Sequence, residues 1–347
     1  MTTQAKSRPA ARKHGPQPTP ERIMDAISAY QRTDAIKAAI ELDIFTAIDE
    51  GKRTPAALAA HAKAAERGLR SLCDYFVVEG FLTKRDGRYG LAPDAALFLS
   101  RKSPACVASM AKFLCAPELR ENFSHLTQAV RKGGATGLGT LAPEHPVWVE
   151  FARSMVPMMR RPAQMIADLL RADKAPAWKV LDVAAGHGVY GITLAQRNPR
   201  AQVTALDWPN VLQVAKENAK AAGVAVRHKL LPGSAFDVDF GTGYDLILLT
   251  NFLHHFDPPT NEKLLRKAHA ALAPEGRVVT LEFVPNDDRV SPPFAAQFSL
   301  VMLGSTPAGD AYTYKEYQNM LRRAGFARSE LHVLAPTPQN VIISHKR

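Results

Sequence analysis

The residues of this chain best suited to chemistry lie in its second half: a glycine bend, two aspartates, and a histidine pair with a distant glutamate. The string KVLDVAAGHGVYG, residues 179–191, runs from a short apolar stretch into Gly186-His187-Gly188 and on into helical sequence. Glycine lets backbone approach a ligand closely because no Cβ intervenes. Asp182 stands just ahead of the bend, where a carboxylate can meet a cationic ammonium. Asp207, in TALDWP, ends the next apolar run. A carboxylate there can accept both hydroxyls of a ribose, or it can cap a helix starting near Pro209. His254 and His255, in TNFLHHFDP, and Glu282, in VVTLEFVPND, add titratable rings and an acid. An imidazole moves protons near neutral pH, and a carboxylate on its far nitrogen fixes the tautomer and stabilises the imidazolium.

Such residues act together only if the elements carrying them converge. Downstream of Trp178 the pattern predicts strands near 179–183, 202–206, 225–229, 245–249, 277–282, 330–334 and 341–344. Helices are expected near 190–197, 211–222, 261–272 and 314–324. This alternation implies a mostly parallel sheet with helices on both faces. Ligands of such sheets sit beyond the carboxyl ends of the strands, at the topological switch point. Residues 105–170 read as mostly helical, with loops at Gly133-Gly134 and across 137–146. Phe151, Met155, Met158 and Met159 recur near helical spacing there, as a core stripe or as a soft wall for a flat ligand. Further upstream, helices are expected over 21–48, 55–64 and 66–78, then a hairpin turning at Asp86-Gly87. Helices ending in a small hairpin make a winged-helix pattern.

Composition excludes several classes. A length of 347 residues suggests two domains, and 46% hydrophobic with 22% charged residues is ordinary globular usage. No run approaches the ~20 apolar residues of a membrane span, and no signal pattern opens the chain. Cys73, Cys106 and Cys115 lack metal-ligand spacing and fit reduced thiols in a cytoplasm. The net charge of +11 is partly a tail effect: residues 1–20 contribute +4 with no acid and read as a disordered basic tail. Residues 21–100 hold 11 basic and 12 acidic side chains. On the would-be recognition helix Arg67 and Arg70 face Glu66, Asp74 and Glu79, a balance that does not favour duplex binding. The wing is therefore expected to serve a partner subunit rather than nucleic acid, with a ligand-sensing regulator as the alternative.

From about residue 21 onward the sequence resembles the S-adenosylmethionine-dependent small-molecule O-methyltransferases that carry an N-terminal winged-helix dimerisation domain. LDVAAGHG is similar to that family's first cofactor motif, with Ala184 and Ala185 where glycines are commoner. ALDWPNVL is similar to the second, with the ribose-binding acid at Asp207. PGSAFD falls where the family has a Gly-Asp pair near the adenine, and Ser234 replaces the acid. TNFLHHFDP resembles the family's Leu-His-Asp-Trp segment, which places the catalytic base at His254 and its acidic partner at Glu282.

The resemblance implies an α/β fold: an N-terminal all-helical winged-helix dimerisation domain (21–105), a helical connector lining the substrate pocket (106–172), and a Rossmann-like class I methyltransferase domain (173–347) with a seven-stranded, mostly parallel sheet. It implies S-adenosyl-L-methionine as cofactor, no metal, a homodimer, and neither nucleic acid nor membrane as partner. Cofactor contacts would come from Asp182, Ala184, Gly186 and Gly188, then from Asp207, Trp208, Ser234, Phe236 and Thr250. The acceptor would meet Phe151, Met155 and Met159, with Asn251, Phe298 and Met302. The implied reaction is O-methylation of a small aromatic or polyketide-like hydroxyl. Moving a proton from a phenol (pKa ~10) to an imidazole (~6.5) is uphill by roughly 5 kcal/mol. The proton must therefore leave as the oxygen attacks, and a positioned base contributes ~10²–10⁴-fold. Plant members carry a second acid just before a Thr; here GDAYT has Ala311 at that place, with Asp310 adjacent. Other readings are C-methylation of a 2-oxo acid with a metal on His254, His255 and Asp257, and a nicotinamide-dependent oxidoreductase using Gly186, Gly188 and Gly191.

Overall fold

The computed structural model describes residues 18–136 and 145–346. The basic tail expected over 1–20 and the loop expected over 137–146 lie outside the described residues, except for 18–20 and 145–146.

The N-terminal unit comprises α1 (Glu21–Glu41), α2 (Ile44–Asp49), α3 (Pro55–Ala62), α4 (Glu66–Val78), β1 (Leu82–Arg85), β2 (Arg88–Leu91) and α5 (Pro93–Phe98). The single helix expected over 21–48 is broken at Asp43, whose φ of 55° takes the chain out of the helical region. At α3 the side chain of Thr54 accepts from the Ala57 amide and Pro55 fills the first turn, where its missing N–H costs nothing. Asp86 and Gly87 both have positive φ, the geometry of a two-residue turn whose twist matches its strands. That hairpin means the unit is not all-helical. Its core gathers Ile44, Phe45, Ile48, Leu58, Phe76 and Tyr89, each large side chain stabilising the unit by roughly 1.5–3 kcal/mol.

A helical stretch follows: α6 (Met110–Leu114), α7 (Pro117–Ser124), α8 (Leu126–Lys132), α9 (Pro146–Ser154) and α10 (Val156–Leu169). The remainder alternates β3 (Lys179–Val183), α11 (Val189–Arg197), β4 (Gln202–Asp207), α12 (Pro209–Ala221), β5 (His228–Pro232), β6 (Tyr244–Thr250), α13 (Pro258–Ala271), β7 (Leu272–Glu282), α14 (Pro293–Ser305), α15 (Tyr314–Arg323), β8 (Arg328–Val333) and β9 (Asn340–His345). The seven strands lie in the order β5-β4-β3-β6-β7-β9-β8. Only β9 runs against its neighbours.

Strand residues alternate between two cores. Val180, Leu246, Leu248 and Leu281 pack with Ile166 of α10 and Leu194 of α11. Leu181, Ile247, Leu249 and Val278 pack with Leu265 of α13 and Leu321 of α15. Burial on both faces explains the continuous apolar run YDLILLT in β6. The sheet winds outward from β3 in both directions, so the switch point lies between the carboxyl ends of β3 and β6.

One strand boundary needs correction. The strand expected over 225–229 begins at His228, because Ala225–Arg227 form a single 3-10 turn. Helix α14 was not anticipated as a helix: it is long and uncharged, and its apolar residues show no single-faced periodicity to announce it.

Candidate active site

The glycine bend leaves β3 through Ala184, with φ 54°, and passes Gly186 and Gly188, with φ 56° and 71°. Asp182 is wholly buried at the end of β3. Its Oδ2 accepts from the Gly191 amide at 3.1 Å, while its Oδ1 is buried without a protein partner. Burial pushes its carboxyl up to about 7, the Gly191 bond pulling down and the charge of Asp207 pushing further up. Such a group calls for a cation. Asp207 ends β4, accepting from the Gly186 amide (2.7 Å) and from its neighbour Trp208 (2.7 Å). It is not the cap of α12, a position Trp208 occupies. Burial raises its carboxyl to about 6 against the pull of those two amides. Two of its roughly four acceptor positions remain for hydroxyl donors.

Tight packing fixes this arrangement. A Cβ on Gly191 would lie 2.7 Å from Val203 Cγ1 and 3.0 Å from Asp182 Oδ2. Gly191→Ala is therefore expected to cost about 1–3 kcal/mol and to displace Asp182. A lowered melting temperature together with weaker nucleotide binding checks this, and an unchanged melt and affinity would refute it.

The second half of the site hangs from β6 and β7. The chain leaves Thr250 through Asn251, with φ 54°, into a single 3-10 turn, Leu253–His255. Glu282, fully buried at the end of β7, holds that turn with both oxygens. Its Oε1 accepts from the Phe252 and Leu253 amides at 3.0 and 2.8 Å. Its Oε2 is 2.5 Å from His254 Nδ1. Three bonds satisfy a carboxylate that would otherwise be costly to bury. With Nδ1–H donated to Glu282, the free nitrogen of His254 is Nε2, an acceptor. In this 3-10 turn the rings of the two adjacent histidines lie side by side, their centroids 4.4 Å apart. Burial, with His254 adding, keeps the His255 ring neutral by lowering its pKa well below the usual imidazole range. Asp257 is committed elsewhere, accepting from the Thr260 amide at the start of α13.

The remaining expected residues divide. Phe298 of α14 meets the His254 ring edge-on at 4.9 Å, and Met302, one turn on, is buried. Phe151 of α9 instead covers the glycine bend and stacks on His187. Met155 and Met159 belong to the core under the sheet. Ser234 Oγ accepts from the Phe236 amide, and the half-exposed Phe236 packs on Phe256, then Phe252. Trp208 packs with Val211 and Val214 of α12 and Ala152 of α9, and Thr250 is buried at the end of β6. Asn251 does not present a free amide to an acceptor: its Oδ1 accepts from Gln339 at 2.6 Å and its Nδ2 donates to Tyr190 at 3.3 Å. Sequence reasoning missed Tyr190, Gln339 and Trp148, which stands 5.7 Å from His255. No local pattern marks Gln339; only the return of β9 to the carboxyl end of β7 brings it here.

Comparison with known proteins decides the family. Residues 123–327 match the profile of an O-methyltransferase domain and residues 24–101 that of an O-methyltransferase dimerisation domain. The chain belongs to the O-methyltransferase family. A 3-hydroxy-5-methyl-1-naphthoate 3-O-methyltransferase from Streptomyces sahachiroi is 30% identical over 88% of this chain and 89% of its own. The crystal structure of a candidate O-methyltransferase from Nostoc punctiforme is 51% identical, with a TM-score of 0.91 over 95% of this chain and 100% of that one. The same fold recurs in human N-acetylserotonin methyltransferase, solved with S-adenosylmethionine, at 23% identity over 95% of this chain and 98% of that one, with a TM-score of 0.77. This methyltransferase uses S-adenosylmethionine as its methyl donor, and neither the oxidoreductase nor the regulator reading is favoured.

In this methyltransferase Asp310 does not take the place of a second acid beside the base. Its Oδ2 accepts from Arg289 at 3.1 Å and its Oδ1 from the Ala311 amide. What stands against the base is backbone: a Cβ on Gly309 would lie 2.2 Å from the His254 carbonyl oxygen. Among the described residues no helix is long and apolar enough to cross a membrane.

Proposed function

We propose that this methyltransferase O-methylates a hydroxyl of a small aromatic or polyketide-like acceptor, with His254 as general base and Glu282 as the residue that orients it. The observation carrying this reading is the Glu282 clamp: one carboxylate holds two amides of the base-bearing turn and the Nδ1 side of its ring. It leaves Nε2 as the only proton acceptor of the ring. The naphthoate specificity of the Streptomyces relative supports the acceptor class.

Asp182 would hold the ammonium of the donor, its unpartnered buried oxygen being suited to that cation. Asp207 would accept the ribose hydroxyls. The backbone at Ala184, Gly186 and Gly188, with Trp208 and Thr250 flanking, would shape the pocket, and Ser234 and Phe236 would border the adenine. The donor supplies a methyl group on a positively charged sulfur. His254 takes the acceptor proton at Nε2, Glu282 stabilises the imidazolium that forms, and the apolar surface around Phe298 and Met302 excludes water. Phe151 would instead cover the donor at the glycine bend, with Met155 and Met159 in the core beneath.

A methyl-radiolabel assay against phenols, hydroxynaphthoates, hydroxyquinones and 2-oxo acids tests the reading. Transfer to a phenolic oxygen is expected, and labelling of the 2-oxo acids alone would overturn it.

The enzyme is further proposed to act as a homodimer through residues 21–105, in the cytoplasm, where its three free cysteines stay reduced. Supporting the dimer, Ile23, Met24, Ile27 and Tyr30 form an exposed apolar stripe on α1. Sedimentation of Ile27→Asp should show a shift towards monomer; a dimer of undiminished stability would remove α1 from the interface.

A further inference from the structure

We propose that a largely buried chain of side-chain hydrogen bonds, Gln339 to Asn251 to Tyr190 to Met159, sets the position of His254 and so tunes the base. The inference rests on the reading of His254 as base.

The bonds run in one direction. Gln339 Nε2 donates to Asn251 Oδ1 at 2.6 Å, Asn251 Nδ2 donates to Tyr190 Oη at 3.3 Å, and Met159 Sδ accepts from Tyr190 O–H at 3.2 Å and from Asn251 Nδ2 at 3.8 Å. The chain joins the start of β9, the exit of β6, α11 and α10. Its midpoint is the pivot of the site. Asn251 has φ 54°, a left-handed conformation that asparagine tolerates better than most residues, and its amide donates to the Leu281 carbonyl at 2.8 Å. The next two amides are those that Glu282 holds, and the residue after them is His254. Fixing Asn251 at both ends of its amide therefore fixes where the turn starts.

Gln339 argues for more than packing. It is fully buried, and its Oε1 has no partner. An apolar side chain would avoid the penalty of that stranded acceptor, whereas only a donor can hold Asn251 Oδ1. Met159 closes the chain at the other end, since a thioether accepts weakly and donates nothing.

The test uses near-isosteric variants of the whole enzyme, Gln339→Met and Tyr190→Phe. The probes are S-adenosylhomocysteine and the phenolic acceptor turned over fastest in the panel above. Both variants should lower kcat by about 10- to 100-fold, while acceptor KM and the Kd of S-adenosylhomocysteine stay within about twofold. In 15N-histidine spectra the downfield Nδ1 proton of His254, assigned by its loss in His254→Ala, should shift or broaden in both. Gln339→Glu can donate to Asn251 only when protonated, so its kcat relative to wild type should recover as pH falls. Wild-type kcat and an unmoved His254 resonance in both variants would overturn the relay, as would nucleotide affinity falling in step with kcat. Full turnover by His254→Ala would instead sink the base assignment, which separates the two failures.

Discussion

Replacing His254 by alanine is expected to lower kcat by about 10²–10⁴-fold, the usual contribution of a positioned general base. The affinity for S-adenosylhomocysteine should not change, because the ring faces Phe298 and Glu282 and not the glycine bend. Glu282→Gln makes the sharper experiment. The amide oxygen of glutamine can still accept from Phe252 and Leu253, so the turn survives. Its NH2, however, would face Nδ1 donor to donor, which forces the proton to Nε2 and removes the acceptor. A loss comparable to that of His254→Ala is expected, with little change in the melting temperature. Single-turnover rates with saturating donor measure it. An unimpaired Glu282→Gln enzyme would show that the ring tautomer does not limit transfer.

The affinity for the donor should depend strongly on pH through Asp182. Burial holds this carboxyl up to about 7 in the free protein, and an ammonium beside it favours the ionised form. Below that pH, binding must first expel a proton, so affinity should fall by up to about tenfold per pH unit. Above it the dependence should level off. Isothermal titration with S-adenosylhomocysteine at pH 5 to 8, in buffers of different ionisation enthalpy, reads both the Kd and the protons released. Asp182→Asn should flatten the profile and weaken binding at pH 8 by about 10- to 100-fold, the range of a hydrogen bond to a charged group. A flat profile in the native enzyme would mean the ammonium is held elsewhere.

Much of this site was legible in the linear sequence because its pieces are local. The strand 179–183, the helix 66–78 and the bend after Val183 follow from short-range periodicity and glycine placement, and they stand where expected. The His254–Glu282 pairing came from a resemblance in motif, and the 2.5 Å approach agrees with it. What escaped is non-local or conformationally unusual. Asp43 breaks a helix by adopting a left-handed conformation that its neighbours do not announce. Tyr190 and Gln339 reach Asn251 from 61 and 88 positions away in the chain, and only the order of the sheet brings them there. Asn251, which the resemblance implies as an acceptor contact, spends its side chain on Tyr190 and Gln339 and so holds the bend.

The close seat of Gly309 against the His254 carbonyl has a mechanical consequence. Thr306 Oγ1 accepts from the Gly309 amide and bonds back to Met302 of α14. Phe298, a turn earlier on that helix, touches the imidazole. Pushing α14 outward to seat a bulkier molecule would tug on the base from both its ring and its main chain, so rate and fit cannot be retuned separately along this helix.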